Sequence, residues 1–367
     1  MNFFMPVRLF TGENCVARYG ETFSPFGKRC AVITGRHAAV QSGALADAAA
    51  VLDASGIIYE VFPGIGQNPS VASCRDAGQF AWEMHADFIL GIGGGSALDA
   101  AKAAAVFATN PELDEVGFYG KAWENDPLPI FLIGTTAGTG SEVTKVSVLT
   151  DSFGKKHSIH DDRLYAKAAF GDSRYTHSLP RTVTLTTGVD VLAHCAESYF
   201  SRKADEISRA FSIRGIRLLC PALSAAAEGE TLTELQRRQL YEASILGGLS
   251  INTTGTCFPH NVGYYLTECY GIPHGFACAV FLQELLELAG EADHAYAERF
   301  FSELEMDREA LQALAGKCLP EMTVAMTEEE IEAVLPRWEK NGSVANTRAE
   351  ITTDRIRDIL KSKFIRS

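Results

Sequence analysis

Positive charge is in short supply: 33 lysines and arginines face 46 aspartates and glutamates, for a formal net charge of −13 over 367 residues. An acidic surface repels phosphate backbones and anionic headgroups, so neither nucleic acid nor a membrane is an expected partner. Long apolar runs are lacking too, and no stretch reads as the roughly 20 apolar residues a membrane helix needs. The opening Met-Asn-Phe-Phe-Met-Pro-Val-Arg has no basic segment leading into an apolar one, so it does not read as a secretory signal. Cysteine is present nine times, an odd number, without the spacing of a disulfide framework. Reduced thiols in a cytoplasm are expected, each behaving as a small buried hydrophobe. The sequence shows no internal repeat and no low-complexity tract, and its end, with Lys361, Lys363 and Arg366, reads as solvated.

What is present divides into two halves, and the length allows two cores. In residues 1–178, short apolar runs at 30–34, 57–62, 88–92 and 130–133 read as strands. Ala-rich stretches at 38–54, 70–85 and 96–108 between them read as helices, giving the βαβ pattern of a covered parallel sheet. Residues 179–367 read as helical, with segments at 188–202, 205–227, 231–249 and 275–303. Thr231-Leu-Thr-Glu234 and Thr327-Glu-Glu-Glu330 fit capping boxes. The fold expected is a Rossmann-like dinucleotide-binding domain followed by an all-α domain, with the boundary near Leu179-Pro180.

The second half carries four candidate ligands for one divalent metal: Asp190, His194, His260 and His274. Asp190 and His194 are four apart, which on a helix places both on one face. One carboxylate and three neutral imidazoles suit zinc or ferrous iron, and such a cation can polarise a substrate oxygen. In the first half, the strand 88–92 runs into Gly93-Gly94-Gly95-Ser96 and then a helix. Glycines there let backbone approach a ligand, and a helix N-terminus attracts a pyrophosphate; a plain tight turn would use the same residues. A second run, Thr135-Thr136-Ala137-Gly138-Thr139-Gly140-Ser141-Glu142, suits ribose, phosphate or an amide, and equally an ordinary Thr/Gly turn. Gly35 and Arg36 follow the first strand with no carboxylate at 34–37, which favours NADP(H) over NAD(H).

Together the motifs Gly93-Gly-Gly-Ser-x-x-Asp99-x-x-Lys102, Thr135 to Glu142, Thr187-Gly-Val-Asp190-x-x-x-His194, His260 and His274-Gly275 resemble the iron-containing (group III) alcohol dehydrogenases, in family order across nearly the whole chain. The resemblance implies a dehydroquinate-synthase-like two-domain fold, a metal deep in the interdomain cleft and a homodimer. By position it implies that Asp190, His194, His260 and His274 hold the metal. Gly94, Gly95, Ser96 and Asp99 would lie on the pyrophosphate side, and Thr135, Thr136, Thr139 and Leu179 beside adenine and the nicotinamide ribose. Lys156 would stand near a cofactor ribose and Asn68 near the nicotinamide. Where the family has a further histidine, often given a proton-relay role, this chain has Tyr264. A phenol with a reference pKa near 10 is a poor base at neutral pH. Tyr264 is expected to shape the pocket or hydrogen-bond the cofactor, or else to pack in an aromatic wall with Tyr265 and Phe258.

The expected activity is reversible hydride transfer between a small primary alcohol or diol and NAD(P)(H), with a metal, Fe2+ or Zn2+, acting as Lewis acid. A dehydroquinate-synthase-like lyase, which uses NAD as an internal redox catalyst, shares the plan but resembles a Glu-plus-two-His site. A silent metal and nucleotide binder is the third reading.

Overall fold

Along Arg29–Gly35 successive side chains enter two different cores: Ala31 and Ile33 on one face, Cys30 and Val32 on the other. A strand buried on both faces reads as a continuous apolar run, which is why its period of two is hidden in the sequence. In the computed structural model, which describes residues 3–365, this strand (β2) lies inside a six-stranded sheet. The others are β1 (Arg8–Thr11), β3 (Ile58–Ile65), β4 (Phe88–Gly93), β5 (Ile130–Gly134) and β8 (Ala168–Gly171). Their order is β1-β8-β5-β4-β2-β3, and all the pairings are parallel. From β2 the chain moves outward to β3, then returns to the opposite side of β2 for β4. The order therefore reverses between β2 and β4, the place where open α/β sheets bind ligands at their carboxyl ends.

The helices Val71–Glu83 and Gly95–Thr109 cover one face of this sheet. They pack closely because Gly78 meets Phe107, where an added Cβ would come within 2.4 Å of the Phe107 Cβ. On the other face, Phe23, Phe88, Phe131 and Phe170 form one aromatic cluster. Each such buried ring contributes on the order of 2 kcal/mol by removal from water. An antiparallel hairpin, β6 (Val146–Thr150) with β7 (Lys156–His160), was not legible as strands; its turn is tied by Asp151, which accepts the amides of Phe153 and Lys155. The helix expected over 38–54 is two, Ala38–Gln41 and Ala44–Ala54, because Gly43 adopts φ +83 between them.

By compactness the chain separates into two units. One is Phe4–Pro180 with Thr233–Gly248; the other contains Arg181–Leu232 and Leu249–Ser367. The division falls within the helix Glu234–Thr254, which a single cut at 178/179 does not anticipate. The helical unit contains Arg181–Tyr199, Glu206–Ala227, Phe258–Tyr270, His274–Ala279, Leu282–Ala292 and His294–Leu304, among others. The long helix expected over 275–303 is thus three, broken at Val280-Phe281 and at Asp293.

The caps and termini depart from the reading in several places. At the start of Glu234–Thr254 the reciprocal pair is Thr233 with Gln236, two residues later than the box read from sequence. Thr327 does accept the Glu330 amide, but the Glu330 carboxylate turns away to accept the Tyr265 and Tyr270 hydroxyls. Glu206–Ala227 is long and apolar enough to cross a membrane, contrary to expectation. One face of it, with Ser208, Ser212, Gly215, Ile216, Leu219 and Leu223, is buried in the unit's core, as in a core helix. The C-terminal helix Thr353–Phe364 is docked through Phe364, with Lys363 and Lys361 paired to Glu284 and Glu328, so it is not a loose end; Arg366 lies outside the described residues.

Candidate functional site

Three helices of the helical unit converge on one carboxylate oxygen. Asp190 and His194 stand one turn apart on Arg181–Tyr199, His260 lies in the first turn of Phe258–Tyr270, and His274 begins His274–Ala279. The Oδ1 atom of Asp190 is 3.5 Å from Nε2 of His260 and 3.9 Å from Nε2 of both His194 and His274. Donors on a tetrahedral cation, each about 2.0–2.3 Å from it, lie roughly 3.3–3.8 Å apart. Asp190, His260 and His274 bring donor atoms within 4.8 Å of one another, close enough to share a cation, while His194 reaches Asp190 Oδ1 at 3.9 Å and stands outside that group. Asp190 and His260 are buried, and neither Asp190 Oδ1 nor His260 Nε2 has a hydrogen-bond partner. Two buried, unpartnered polar atoms facing one another are costly unless something binds them both, so the residues fit a divalent cation.

Glycine makes the convergence possible. A Cβ on Gly275 would lie 1.9 Å from the Thr186 carbonyl oxygen and 3.0 Å from the Asp190 Cβ. A Cβ on Gly263 would lie 2.6 Å from the Ala277 carbonyl oxygen. Between His260 and His274 the chain reverses at Gly271, which ends the first helix at φ +66.

Sequence reading missed two residues here. Glu197, fully buried, places Oε1 2.5 Å from Nδ1 of His260 and accepts the Cys257 amide at 2.7 Å through Oε2. It holds the imidazole proton on Nδ1 and leaves Nε2 facing Asp190. Its signal was its position three residues after His194, on the ligand face. The second is Cys278, four residues after His274. Its sulfur lies 3.5 Å from Nδ1 of His274, and its donor atom and those of Asp190, His260 and His274 all lie within 4.8 Å of one another. Burial alone would raise the Asp190 pKa, but His194, His274 and His260 outweigh it and hold the carboxyl well below the usual range. Burial likewise opposes a charged His260 ring, yet Cys278 and Glu197 push its pKa well above the ordinary value.

Tyr264 stacks on His274, with ring centroids 5.4 Å apart and planes 23° apart. Phe258 pairs with Phe281, and Tyr265 with Tyr270 and Trp338.

In the α/β unit, β4 ends at Gly93 and the helix Gly95–Thr109 begins after Gly94. Gly94 and Gly95 lie against the second loop: a Cβ on either would come within 2.9 Å of Thr136 or 2.4 Å of Thr139. Ser96 occupies the first helical turn, whose free N–H groups suit an anion. Thr135 follows β5, and its buried hydroxyl has no hydrogen-bond partner. Gly94, Gly95, Ser96, Thr135, Thr136 and Thr139 are thus gathered at the carboxyl ends of β4 and β5, a cradle that fits a dinucleotide phosphate and ribose. Gly35 closes the neighbouring β2, and Leu179 follows a short turn in which its amide reaches the Thr176 carbonyl. Asn68 and Lys156 meet, with Nζ donating to Oδ1 at 3.0 Å.

Asp99 lies next to this group, through Ser141, whose amide donates to the Thr139 hydroxyl. Its carboxylate accepts the Ser141 hydroxyl and the Val148 amide, tying the helix Gly95–Thr109 to the segment after the threonine loop. Lys102, entirely buried, donates to the carbonyls of Ser141, Thr144 and Val146 at 2.7, 2.9 and 2.8 Å. Burial lowers its pKa to about 8 against the pull of Asp99 and Glu142. Asp99 and Lys102 hold the segment after the threonine loop in place.

Residues 6–173 match the family model described as "Iron-containing alcohol dehydrogenase", and residues 184–363 match "Fe-containing alcohol dehydrogenase family, C-terminal". The chain is 33% identical over 286 residues to the 1,3-propanediol dehydrogenase of Citrobacter freundii, covering 77% of this chain and 73% of that one. An iron-containing alcohol dehydrogenase structure from Thermotoga maritima superposes with a TM-score of 0.91 at 34% identity, over 98% of each chain. The sulfoacetaldehyde reductase of Bifidobacterium kashiwanohense, solved with NAD+, superposes with a TM-score of 0.84 at 29% identity, again over 98% of each.

Proposed function

The chain belongs to the iron-containing alcohol dehydrogenase family, and we propose that it interconverts small primary alcohols or diols with their aldehydes, with NADP(H) preferred. The observation that carries this reading is the meeting of Asp190 with three imidazoles around one oxygen. A cation held there would supply Lewis acidity toward an alcohol or carbonyl oxygen, and a nicotinamide would supply the hydride chemistry.

The protein's own residues do the positioning. Asp190, His194, His260 and His274 hold the cation, and Glu197 keeps Nε2 of His260 available to it. Gly94, Gly95 and Ser96 present backbone N–H groups to pyrophosphate at a helix N-terminus, and Thr135, Thr136 and Thr139 offer hydroxyls to the ribose side. Arg36 follows Gly35 at the end of β2, where an acidic residue would favour a free 2′-hydroxyl; it supports the NADP preference. The diol-oxidising relative supports the substrate class. Ferrous iron as the metal, with zinc as the alternative, rests on the ligand types and the family. A homodimer rests on the family resemblance, and a cytoplasmic location on the nine cysteines, all free thiols.

The test is an alcohol and aldehyde panel with both cofactors, on protein reconstituted separately with iron and with zinc. Turnover with a net change in nicotinamide absorbance, abolished by chelation and by His260→Ala, is the expected result. Substrate consumption without net absorbance change would return the lyase reading. Turnover surviving thorough metal removal would overturn the scheme.

A further inference from the structure

The threonine loop after β5 is held from behind by a helix that arrives much later in the chain. Tyr241 lies on the part of Glu234–Thr254 that packs with the α/β unit, and its hydroxyl donates to Oε1 of Glu142 at 2.8 Å. Both side chains are buried. Burial and the Glu142 carboxylate push the phenol pKa well above its ordinary value, so the hydroxyl keeps its proton and donates. A Cβ added at Gly134, the last residue of β5, would lie 1.9 Å from Glu142 Oε1 and 2.4 Å from the Tyr241 hydroxyl oxygen. One added at Gly171, the last residue of β8, would lie 2.6 Å from the Tyr241 ring. The phenol therefore covers the carboxyl ends of two neighbouring strands, the side on which open α/β sheets bind dinucleotides. About two helical turns further on, Gly248 crosses the loop at Gly140, where φ is +58. A Cβ on Gly248 would lie 2.6 Å from the Gly140 carbonyl oxygen. Inside the loop, Ser141 is engaged by Thr139 and Asp99, whereas the buried Thr135 hydroxyl has no partner. A loop satisfied from behind that leaves one buried hydroxyl unpaired is organised for a ligand in front.

We propose that Tyr241 and Gly248 are positioning residues for the nicotinamide dinucleotide, so that a segment outside residues 6–173, the span of the first family model, completes the cofactor cradle. The inference rests on the dinucleotide-binding reading above and adds to it the device that sets the loop's shape. Tyr241 acts through Glu142 and Gly248 through Gly140; neither touches the cofactor. Without the phenol hydroxyl, Glu142 stays buried and loses that donor, and the loop bearing Thr135, Thr136 and Thr139 is free to shift. A displacement of about 1 Å is enough to cost a positioned group much of its effect.

The experiment uses the full-length protein, Tyr241→Phe and Gly248→Ala, and titrates each with NADH and NADPH by nucleotide fluorescence. Metal affinity is measured on the same proteins by chelator competition. Tyr165→Phe is the control, since it removes a hydroxyl bond of similar length, to the Phe4 carbonyl at 2.9 Å, elsewhere in the same unit. The expected result is a dissociation constant raised about tenfold for both dinucleotides in Tyr241→Phe and Gly248→Ala. KM for the cofactor should rise with it, while metal affinity and kcat at saturating cofactor stay within about twofold. Tyr165→Phe should bind both dinucleotides as the unaltered protein does. Should Gly248→Ala not fold, Tyr241→Phe alone decides. Unchanged dinucleotide binding in Tyr241→Phe, or an equal loss in Tyr165→Phe or in metal affinity, would overturn the proposal. If the unaltered protein binds neither NADH nor NADPH, the cofactor reading fails and the positioning role fails with it.

Discussion

Glu197 holds His260 from behind, its Oε1 2.5 Å from Nδ1 and its Oε2 accepting the Cys257 amide from the turn before the His260 helix. One carboxylate thus sets both the tautomer of a ligand and the backbone that delivers it. Glu197→Gln keeps the volume but weakens the acceptor, and metal affinity is expected to fall about 10–100-fold. Competition with a chromophoric chelator measures this. Unchanged affinity would reduce Glu197 to a packing role.

Gly275 tolerates no side chain. A Cβ would press on the Thr186 carbonyl at 1.9 Å, a backbone atom that cannot rotate aside. Gly275→Ala is expected to separate the His274 helix from the Asp190 helix, destabilising the metal-free protein by about 1–3 kcal/mol. Thermal unfolding with and without metal checks both effects, and the stabilisation conferred by metal should shrink most. A variant with unaltered melting and metal uptake would show that the two helices slide apart freely.

The buried ammonium of Lys102 gives a pH signature. Its folded-state pKa is about 8, against a reference of 10.5, with burial the main cause. Between these values the unfolded chain binds more protons than the folded one, so this group's contribution to stability rises with pH. The burial penalty is present in full below pH 8 and is relieved toward pH 10.5, with an upper bound near ~3 kcal/mol. Lys102→Met removes this slope while losing the bonds to Ser141, Thr144 and Val146. Denaturation at several pH values should show the difference between the two proteins changing across that window; a constant difference would mean the lysine titrates normally.

Ligand chemistry made the candidate metal residues legible in the sequence, and apolar runs made the two-domain plan legible. Asp190, His194, His260 and His274 were legible because ligand chemistry restricts residue type, whatever the fold does. Glu197 and Cys278 were not, since a glutamate on a helix and a thiol in an apolar run have many commoner uses. Central strands such as β4 were legible as apolar runs, whereas β8 (Ala-Ala-Phe-Gly) and β7 (Lys-His-Ser-Ile-His) carry little β-branched content and gain their form from neighbours. Asp99 was singled out by its motif, and the structure adds what sequence did not show, its bonds to Ser141 and Val148.

The proposed preference for NADP has its own test at Arg36. A guanidinium contact with a 2′-phosphate is worth about 1.5–3 kcal/mol, or roughly 10–100-fold in affinity. Arg36→Ala is expected to raise KM for NADP by that factor and leave KM for NAD within about twofold. Equal effects on both cofactors would remove the basis for the NADP assignment.

Tyr264 separates packing from proton transfer. Its ring stacks on His274, and a phenol with a reference pKa near 10 is rarely ionised at neutral pH. Tyr264→Phe preserves the stacked ring and deletes only the hydroxyl. It should therefore keep kcat within about threefold, with an unchanged pH profile, because Brønsted behaviour gives so weak a base little part in the reaction. Tyr264→Ala removes the ring that steadies His274 and should lower metal affinity as well as kcat. A pH profile displaced in the phenylalanine variant alone would place the phenol on the proton's path, and a substitution that looks like packing would then be the relay itself.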